Sequence, residues 1–283
     1  MKSHRGDASR VIENPLNNVI GLILIIASIS ILFYFTLPPA IDWQTAFRPA
    51  AKKLLSGDSP YHIDKFMNPP WTLVPLLPFA ILPENVGRAI LTALALLTYA
   101  YVAYKLGADI KAIIFLLLSP PVIHSLLNGS LDWLVVLGFI LPVRYGLFLV
   151  SMKPQVGLAV VVYWFVSSYR EEGLKRAVFD FLPFTVTLFL SFMIFGFWPL
   201  QYVGSFKPAW NASLWPLSLP VGITLLYAAL KRDKFEYAVA ASPLLSPYVA
   251  FHSWVSVLLA LCSQTGYIIT SVIGLWLAVL IQY

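Results

Sequence analysis

From residue 19 to residue 37 the chain runs without a single charged side chain. That length matches what a helix needs to cross the roughly 30 Å hydrocarbon core of a bilayer, about 20 residues. The feature repeats. Apolar segments cover 71–82, 86–106, 110–127, 131–143, 145–169, 177–200, 214–230, 237–250, 254–261 and 267–281. Several are short, or are broken by proline: Pro75 and Pro78, Pro120-Pro121, and Lys153-Pro154. In lipid a backbone must satisfy its own hydrogen bonds, so segments of this kind are helical. The pattern predicts an all-α polytopic membrane protein with roughly nine to eleven membrane segments, some discontinuous.

Composition agrees. Hydrophobic residues make up 59% of the 283 and charged residues 11%, against about 45–50% and about 25% in soluble domains. No soluble domain fits between the apolar segments, so 1–283 reads as one integral membrane domain. The net charge of +6 does not point to nucleic acid. The basic residues fall in short clusters between apolar runs, as the positive-inside rule describes. Lys2, Arg5 and Arg10, the loop Arg170 to Arg176 and the loop Lys231 to Glu236 read as cytoplasmic. The stretch 201–213, with Lys207 alone, reads as external. Residues 1–17 are then a cytoplasmic tail. The run from Val19 is a retained span, since no small-residue cleavage site follows it. The plasma membrane is the expected location, with membrane lipids, including anionic headgroups, as neighbours.

Polar chemistry is concentrated in one place. The sequence DWQTAFRPAAKKLLSGDSPYHIDKFMNPP, from Asp42 to Pro70, lies between two apolar segments and belongs to a loop, 39–70, placed outside. Its basic residues Arg48, Lys52 and Lys53 conflict with an external position. An amphipathic helix lying along the membrane resolves the conflict. Trp43, Phe47, Ala50, Leu54 and Leu55 recur at helical spacing, with Gln44, Arg48, Lys52 and Lys53 opposite them. Pro49 suits the first turn and Gly57 the C-cap. The helix is expected to start near Arg48, with Asp42 in the loop before it.

The order of residues here carries a resemblance. Asp42 follows the first span. Phe47, Ala50-Ala51, Leu54-Leu55, Gly57, Ser59-Pro60-Tyr61, Phe66 and Asn68-Pro69-Pro70 come next, and then a proline-containing span that closes at Leu82-Pro83. This resembles the first external loop of the GT-C superfamily of membrane glycosyltransferases, and within it the family 87 polyprenyl-phosphate-dependent mannosyltransferases. Met152-Lys153-Pro154-Gln155-Val156-Gly157 and Ser246-Pro247-Tyr248 with His252 resemble two later segments of that family. Where the family has Gly-Gln after the fourth span, this chain has Gly129-Ser130. Its length is also short for that family.

The resemblance implies a GT-C-like core and transfer of a hexose, mannose by preference, from a polyprenyl-phosphate donor to a lipid or glycan acceptor at the external face. Such a reaction needs a base for the acceptor hydroxyl and cationic or hydrogen-bonding groups for the departing phosphate. The resemblance assigns the base to Asp42, with inversion by single displacement. Lys153 is read as lying within a helix about 12 Å from its end at Tyr145, at roughly 1.5 Å per residue. A charge inside a span is costly and usually functional, which suits phosphate pairing. His252, Arg48, Gln155 and Tyr61 complete the expected donor and substrate contacts. No cofactor is implied, and a divalent metal is left open.

Other polar residues have plainer readings. Asp58 and Asp64 suit turns. Asp132 suits a helix cap, Asp180 the interface, and His124 a structural role. Cys262 reads as a small buried hydrophobe. The four histidines have no zinc-site spacing. No nucleophile-elbow or P-loop motif occurs. Two other classes compete with the enzyme: a transporter or lipid flippase, which shares broken helices and an intramembrane charge but here lacks a visible acidic partner for Lys153, and a catalytically degenerate assembly subunit that keeps the fold.

Overall fold

The computed structural model describes residues 15–202 and 211–282. Lys2, Arg5, Arg10 and Lys207 lie outside these residues, so the charge readings placed on them do too. The described chain is helical throughout, with no strand. Its α-helices are α1 Pro15–Thr36, α2 Arg48–Leu55, α3 Leu77–Ala80, α4 Glu84–Lys105, α5 Ile110–Leu117, α6 Pro120–Asn128, α7 Asp132–Gly138, α8 Val143–Val150, α9 Pro154–Phe195, α10 Leu219–Arg232, α11 Phe235–Leu244, α12 Val255–Leu261 and α13 Thr265–Gln282. Three of them, within α1, α4 and α9, are long and apolar enough to cross a membrane, and the bent pair α5–α6 makes a fourth.

Length alone does not describe α9. Glu172 (φ −138°) and Gly173 (φ 65°, ψ −151°) leave helical geometry. Ser168 Oγ then donates to Asp180 Oδ2 at 2.8 Å, although twelve residues of straight helix would hold them about 18 Å apart. The segment is therefore a hairpin with arms 154–171 and 174–195. Phe165 packs edge-on to Phe181 across it. Arg176 pairs with Asp180 at 3.0 Å, so Asp180 is buried at the turn and held on two sides.

The helices run back and forth between two ends. One end carries Asp42, the α6–α7 junction, the α8–α9 turn and residues 246–254. Asn68 Nδ2 donates to the Met152 carbonyl there at 2.9 Å. The other end carries the basic turns. Arg170 donates to the Leu230 carbonyl, Tyr163 Oη donates to Asp233 at 2.8 Å, and Phe235 stacks on Trp164. The loops 170–176 and 231–236 are thus neighbours, about a helix length from Asp42.

α1 is apolar all round and mostly unburied: Ile23, Leu24, Ile31 and Phe35 are all exposed. A helix of that kind in a water-soluble protein would be in the core. It docks to the rest through Arg88 of α4, which is buried. Arg88 Nη1 donates to the carbonyls of Leu37 (2.8 Å) and Pro38 (2.7 Å), and Nη2 approaches those of Tyr34 (3.3 Å) and Phe33 (3.5 Å). The carbonyls at the end of α1 carry partial negative charge, and beyond Phe33, which accepts from the Leu37 amide, they lie past the last intrahelical donors. A buried guanidinium satisfies both needs.

The first loop differs from expectation at its start. Residues Trp43–Phe47 form a π-helical turn that runs directly into α2. Asp42 is already in helical geometry (φ −65°, ψ −40°), not in a preceding loop. Pro49 thus lies inside a continuous helical run, just after the π-helical turn, rather than at a helix start. It therefore does not force the helix to begin at Arg48. Trp43, Phe47 and Ala50 are buried as the pattern predicts, and Ala51, outside that pattern, is buried with them, while Leu55 on the predicted face is 50% exposed. Gly57 (φ 77°) ends the helix in the left-handed region.

Candidate functional site

Four junctions meet at the Asp42 end. The first follows α6. Gly129 adopts φ 68°, and a Cβ there would lie 2.9 Å from Ala40 Cβ and 3.2 Å from Trp43 Cβ. Only glycine lets the end of α6 sit against the turn bearing Asp42. Ser130 and Asp132 follow at once. The second is the α8–α9 turn. α8 stops at Val150, and Lys153 is extended (φ −136°, ψ 92°) before Pro154. This corrects the expectation that Lys153 lies inside a continuous helix. Proline disfavours helical geometry in the residue before it and cannot donate to a helix through it. Gly157 lets the two helices close tightly, since a Cβ there would meet the Val150 carbonyl oxygen at 2.3 Å. The third is the short 3-10 helix Phe251–Trp254, which presents His252 and Ser253. The fourth is the π-helical turn with Asp42.

Their side chains build one buried polar cluster. Lys153 Nζ donates to Asp132 Oδ2 at 2.6 Å. It also lies 3.1 Å from His252 Nε2 and 3.4 Å from Ser130 Oγ. Ser130 donates to Asp132 Oδ2, and Ser253 Oγ donates to Asp132 Oδ1 at 2.8 Å. Asp132 is 0% exposed, Lys153 8% and His252 8%. Removing two charges from water costs several kcal/mol per ion. The serines and His252 saturate the pair's remaining hydrogen-bonding capacity, which is what makes such a burial tolerable.

Asp132 was expected to cap a helix. It makes no capping hydrogen bond, because α7 begins inside the core and Lys153 is the stronger partner there. His124 stacks on His252, with ring centroids 5.5 Å apart and planes inclined by 22°. Its Nδ1 is 3.3 Å from His252 Nδ1. Behind Ser130, Ser125 Oγ and Tyr99 Oη share a 2.7 Å hydrogen bond.

Asp42 stands beside this cluster without joining it. No hydrogen bond or ion pair engages its carboxylate among the described residues, and it caps no helix. Burial pushes its carboxyl above the ordinary carboxylate range. Asp132 adds to that upward push, and the cations Lys153 and Lys65 offset part of it. The result is a half-buried, unengaged carboxylate at the edge of a dense cluster. A group of that kind is suited to accepting a proton.

The remaining candidates are placed differently. Arg48 is drawn to Glu84, with Nη1 3.4 Å from Oε2, and Nη2 donates to the Leu82 carbonyl at 3.1 Å. It thereby clamps the first loop to the start of α4. Tyr61 is buried in an aromatic group with Phe66, Phe195 and Trp198, and Tyr61 Oη donates to the Asn68 carbonyl at 3.1 Å. Through Asn68 and Met152 it supports the turn that carries Lys153. Gln155 is half-buried in the first turn of α9. Asp58 is a surface turn residue. Lys53 and the Ser59 amide hold its carboxyl below the usual range. Cys262 is buried and free.

Asp132, Ser130, Ser253 and His124 are the site residues that pattern reading passes over. The signal for Asp132 was physical: an acid next to a short apolar segment needs a cation, and Lys153 had none. No group of three or more His, Cys, Asp or Glu able to hold a metal ion occurs among the described residues.

The described residues thus form an all-helical arrangement with apolar helices long enough to span a membrane, and its buried charged cluster lies beside the first loop. No family model, curated protein or solved structure matches it.

Proposed function

We propose that the chain is a membrane glycosyltransferase of GT-C type, transferring a hexose, mannose by preference, from a polyprenyl phosphate to a lipid or glycan acceptor at the external face. One observation carries this reading: Asp42, Lys153 and His252, far apart in sequence, meet at one end of the helices with Asp42 left unengaged. The chemistry follows from the parts. Asp42 takes the proton of the acceptor hydroxyl as that oxygen attacks the anomeric carbon. The bond from that carbon to the phosphate oxygen breaks, and the leaving phosphate is met by Lys153, which gives up its long contact to Ser130 to do so, with His252 beside it. The Arg48–Glu84 clamp and the Tyr61 aromatic group hold the loop against the cluster, so they act on position rather than on substrate. A polytopic membrane arrangement with the N-terminus inside is part of the proposal. The basic turns at the end opposite Asp42 support that orientation.

The test is transfer of labelled mannose from polyprenyl-phosphomannose in membranes carrying the protein, with Asp42→Asn in parallel. Transfer by the parent, reduced by roughly 10²–10⁴ in the variant, supports the reading. Full activity in a normally expressed Asp42→Asn protein would refute Asp42 as base.

A second reading has its own observation. A transporter needs a paired intramembrane charge, and Asp132 supplies the acid that the sequence did not reveal for Lys153. Uptake or flipping of a phospho-lipid by reconstituted vesicles, without chemical turnover, would favour that class.

A further inference from the structure

Arg88 lies within the apolar segment 86–106 and is buried. A charge so placed is costly and needs its hydrogen bonds met. Its Nη atoms reach four carbonyls at the end of α1 and no carboxylate. Its Nε is buried and has no partner among the described residues. An orphaned donor of this kind is the exception in folded proteins. Arg88 also lines a cavity. The wall includes Thr92 and Ala95 of α4, Ser125 of α6, Ser130 of the α6–α7 turn, and Trp43, the residue after Asp42. About 20 Å³ is open there to the centre of a water molecule, and one water needs roughly 10–15 Å³ on that measure.

The hydroxyls decide which ligand fits. Thr92 Oγ1 donates to the Arg88 carbonyl at 2.9 Å. Ser130 donates to Asp132 Oδ2, so toward Ser125 it accepts, from Oγ at 3.4 Å. The Ser125 proton is then committed, and Tyr99 Oη is the donor in the 2.7 Å bond between them. Thr92 and Ser125 therefore have lone pairs left and no proton, while Arg88 Nε has a proton and no lone pair. A ligand of this cavity must accept from Arg88 and donate to the two hydroxyls. A halide or a carboxylate oxygen only accepts, and an ammonium only donates. Water does both.

We infer that this cavity is a binding site for one ordered water, which accepts from Arg88 Nε, donates to Thr92 and Ser125, and joins the α1–α4 dock to the buried charged cluster. With that water in place the donors form a directed chain. Arg88 Nε donates to the water, the water to Ser125, Ser125 to Ser130, and Ser130 to the Asp132 carboxylate. Every bond points from the cation toward the anion, so each polarises the next in the same sense. A guanidinium with only carbonyl partners thereby gains a link to a carboxylate, and Asp132 is answered by Lys153 directly and by Arg88 through the chain. Trp43 forms part of the same wall, so the water also fills the space behind the turn that bears Asp42. The inference does not rest on the transferase reading.

The test uses the full-length protein in nanodiscs with ¹⁵N-labelled arginine, the Arg88 Nε–H signal being the one that Arg88→Lys removes. Rotating-frame spectra separate a dipolar contact with a held water from proton exchange with solvent, because the two have opposite signs. The expected result is a dipolar contact between the Arg88 Nε proton and water in the parent, and its loss in Ala95→Val, whose added methyl groups occupy the cavity. No such contact in the folded parent overturns the water site. A contact of unchanged strength in Ala95→Val overturns it as well, since the water then lies elsewhere. A shift of the Arg88 signal when bromide replaces chloride would put an anion in the cavity, against the hydroxyl argument, and would also overturn it. Should Ala95→Val fail to fold, a high-resolution density map of the parent decides. A single peak within about 3.2 Å of both Arg88 Nε and Thr92 Oγ1 upholds the site, and a map without one refutes it.

Discussion

At the scale of single residues, two carboxylates in the same neighbourhood have opposite fates. Asp132 is buried and fully partnered, and Asp42 is half-buried and unpartnered. For Asp132 the energetics are those of a buried pair. Lys153→Met leaves an uncompensated buried carboxylate and is expected to cost roughly 3–5 kcal/mol. The double variant Asp132→Asn/Lys153→Met should recover most of that loss, since both charges go together. Thermal unfolding in a fixed detergent reads the cycle, and equal losses in the single and double variants would contradict the pairing. For Asp42 the sign runs the other way. Its carboxyl is raised in the fold by burial first, so the folded chain holds that proton to higher pH than the unfolded chain does. Stability therefore declines as pH rises from the ordinary carboxylate range, about 4, through the raised value, and at neutral pH the charged form is a net cost. Asp42→Asn should unfold at a higher temperature than the parent at pH 7, with the gap closing toward pH 4. The acid limb of a transfer profile in the parent should lie above the usual carboxylate range for the same reason.

At the scale of elements, the site depends on how helices end. Gly129 stops α6 in a left-handed turn pressed against Ala40 and Trp43. Gly129→Ala meets both a Cβ contact at 2.9 Å and a backbone strained for any other residue, for which about 1–3 kcal/mol is typical. The expected result is lower thermal stability together with a displaced Asp42, seen as a shifted acid limb. A fully stable variant would show that the turn has room. The π-helical turn before α2, the extended Lys153 and the Glu172–Gly173 reversal are also helix endings. Pattern reading finds apolar helices well, because burial in lipid or core selects composition along the whole element. It misplaced Asp42 and Lys153 because their local geometry is fixed by one proline or one unusual turn, and by what packs there.

At the scale of the whole molecule, the exposed apolar surface of the described helices is compatible with a lipid covering. α1 is exposed along nearly its whole length, and the long arms of α9 expose Phe189, Leu190 and Met193. Water against that area would cost about 25 cal/mol per Å². Single cysteines placed at Ile23 or Phe189 in a Cys262→Ser background should resist a water-soluble maleimide in intact membranes, while one at Lys52 should react. Rapid labelling at Ile23 would contradict a spanning α1. The sided version of the assay, with reagent outside only, reads orientation at Lys52 and Lys175.

By itself the sequence determined the helical class, the apolar composition of the helices and the amphipathic first loop, because these follow from residue type averaged along a segment. It also singled out Lys153, since a charge in an apolar run is expensive enough to stand out, while Asp42 and His252 were picked by the resemblance of their surrounding segments to a family pattern. Only the tertiary structure decided that these three meet, that Asp132 rather than solvent answers Lys153, that Arg48 serves Glu84, and that His124 stands between His252 and the surface. Those facts are pair energies between residues as far as 128 positions apart. Nothing local in the chain encodes which partner a buried charge will find; only the packed arrangement, in which every such group must be satisfied at once, selects it.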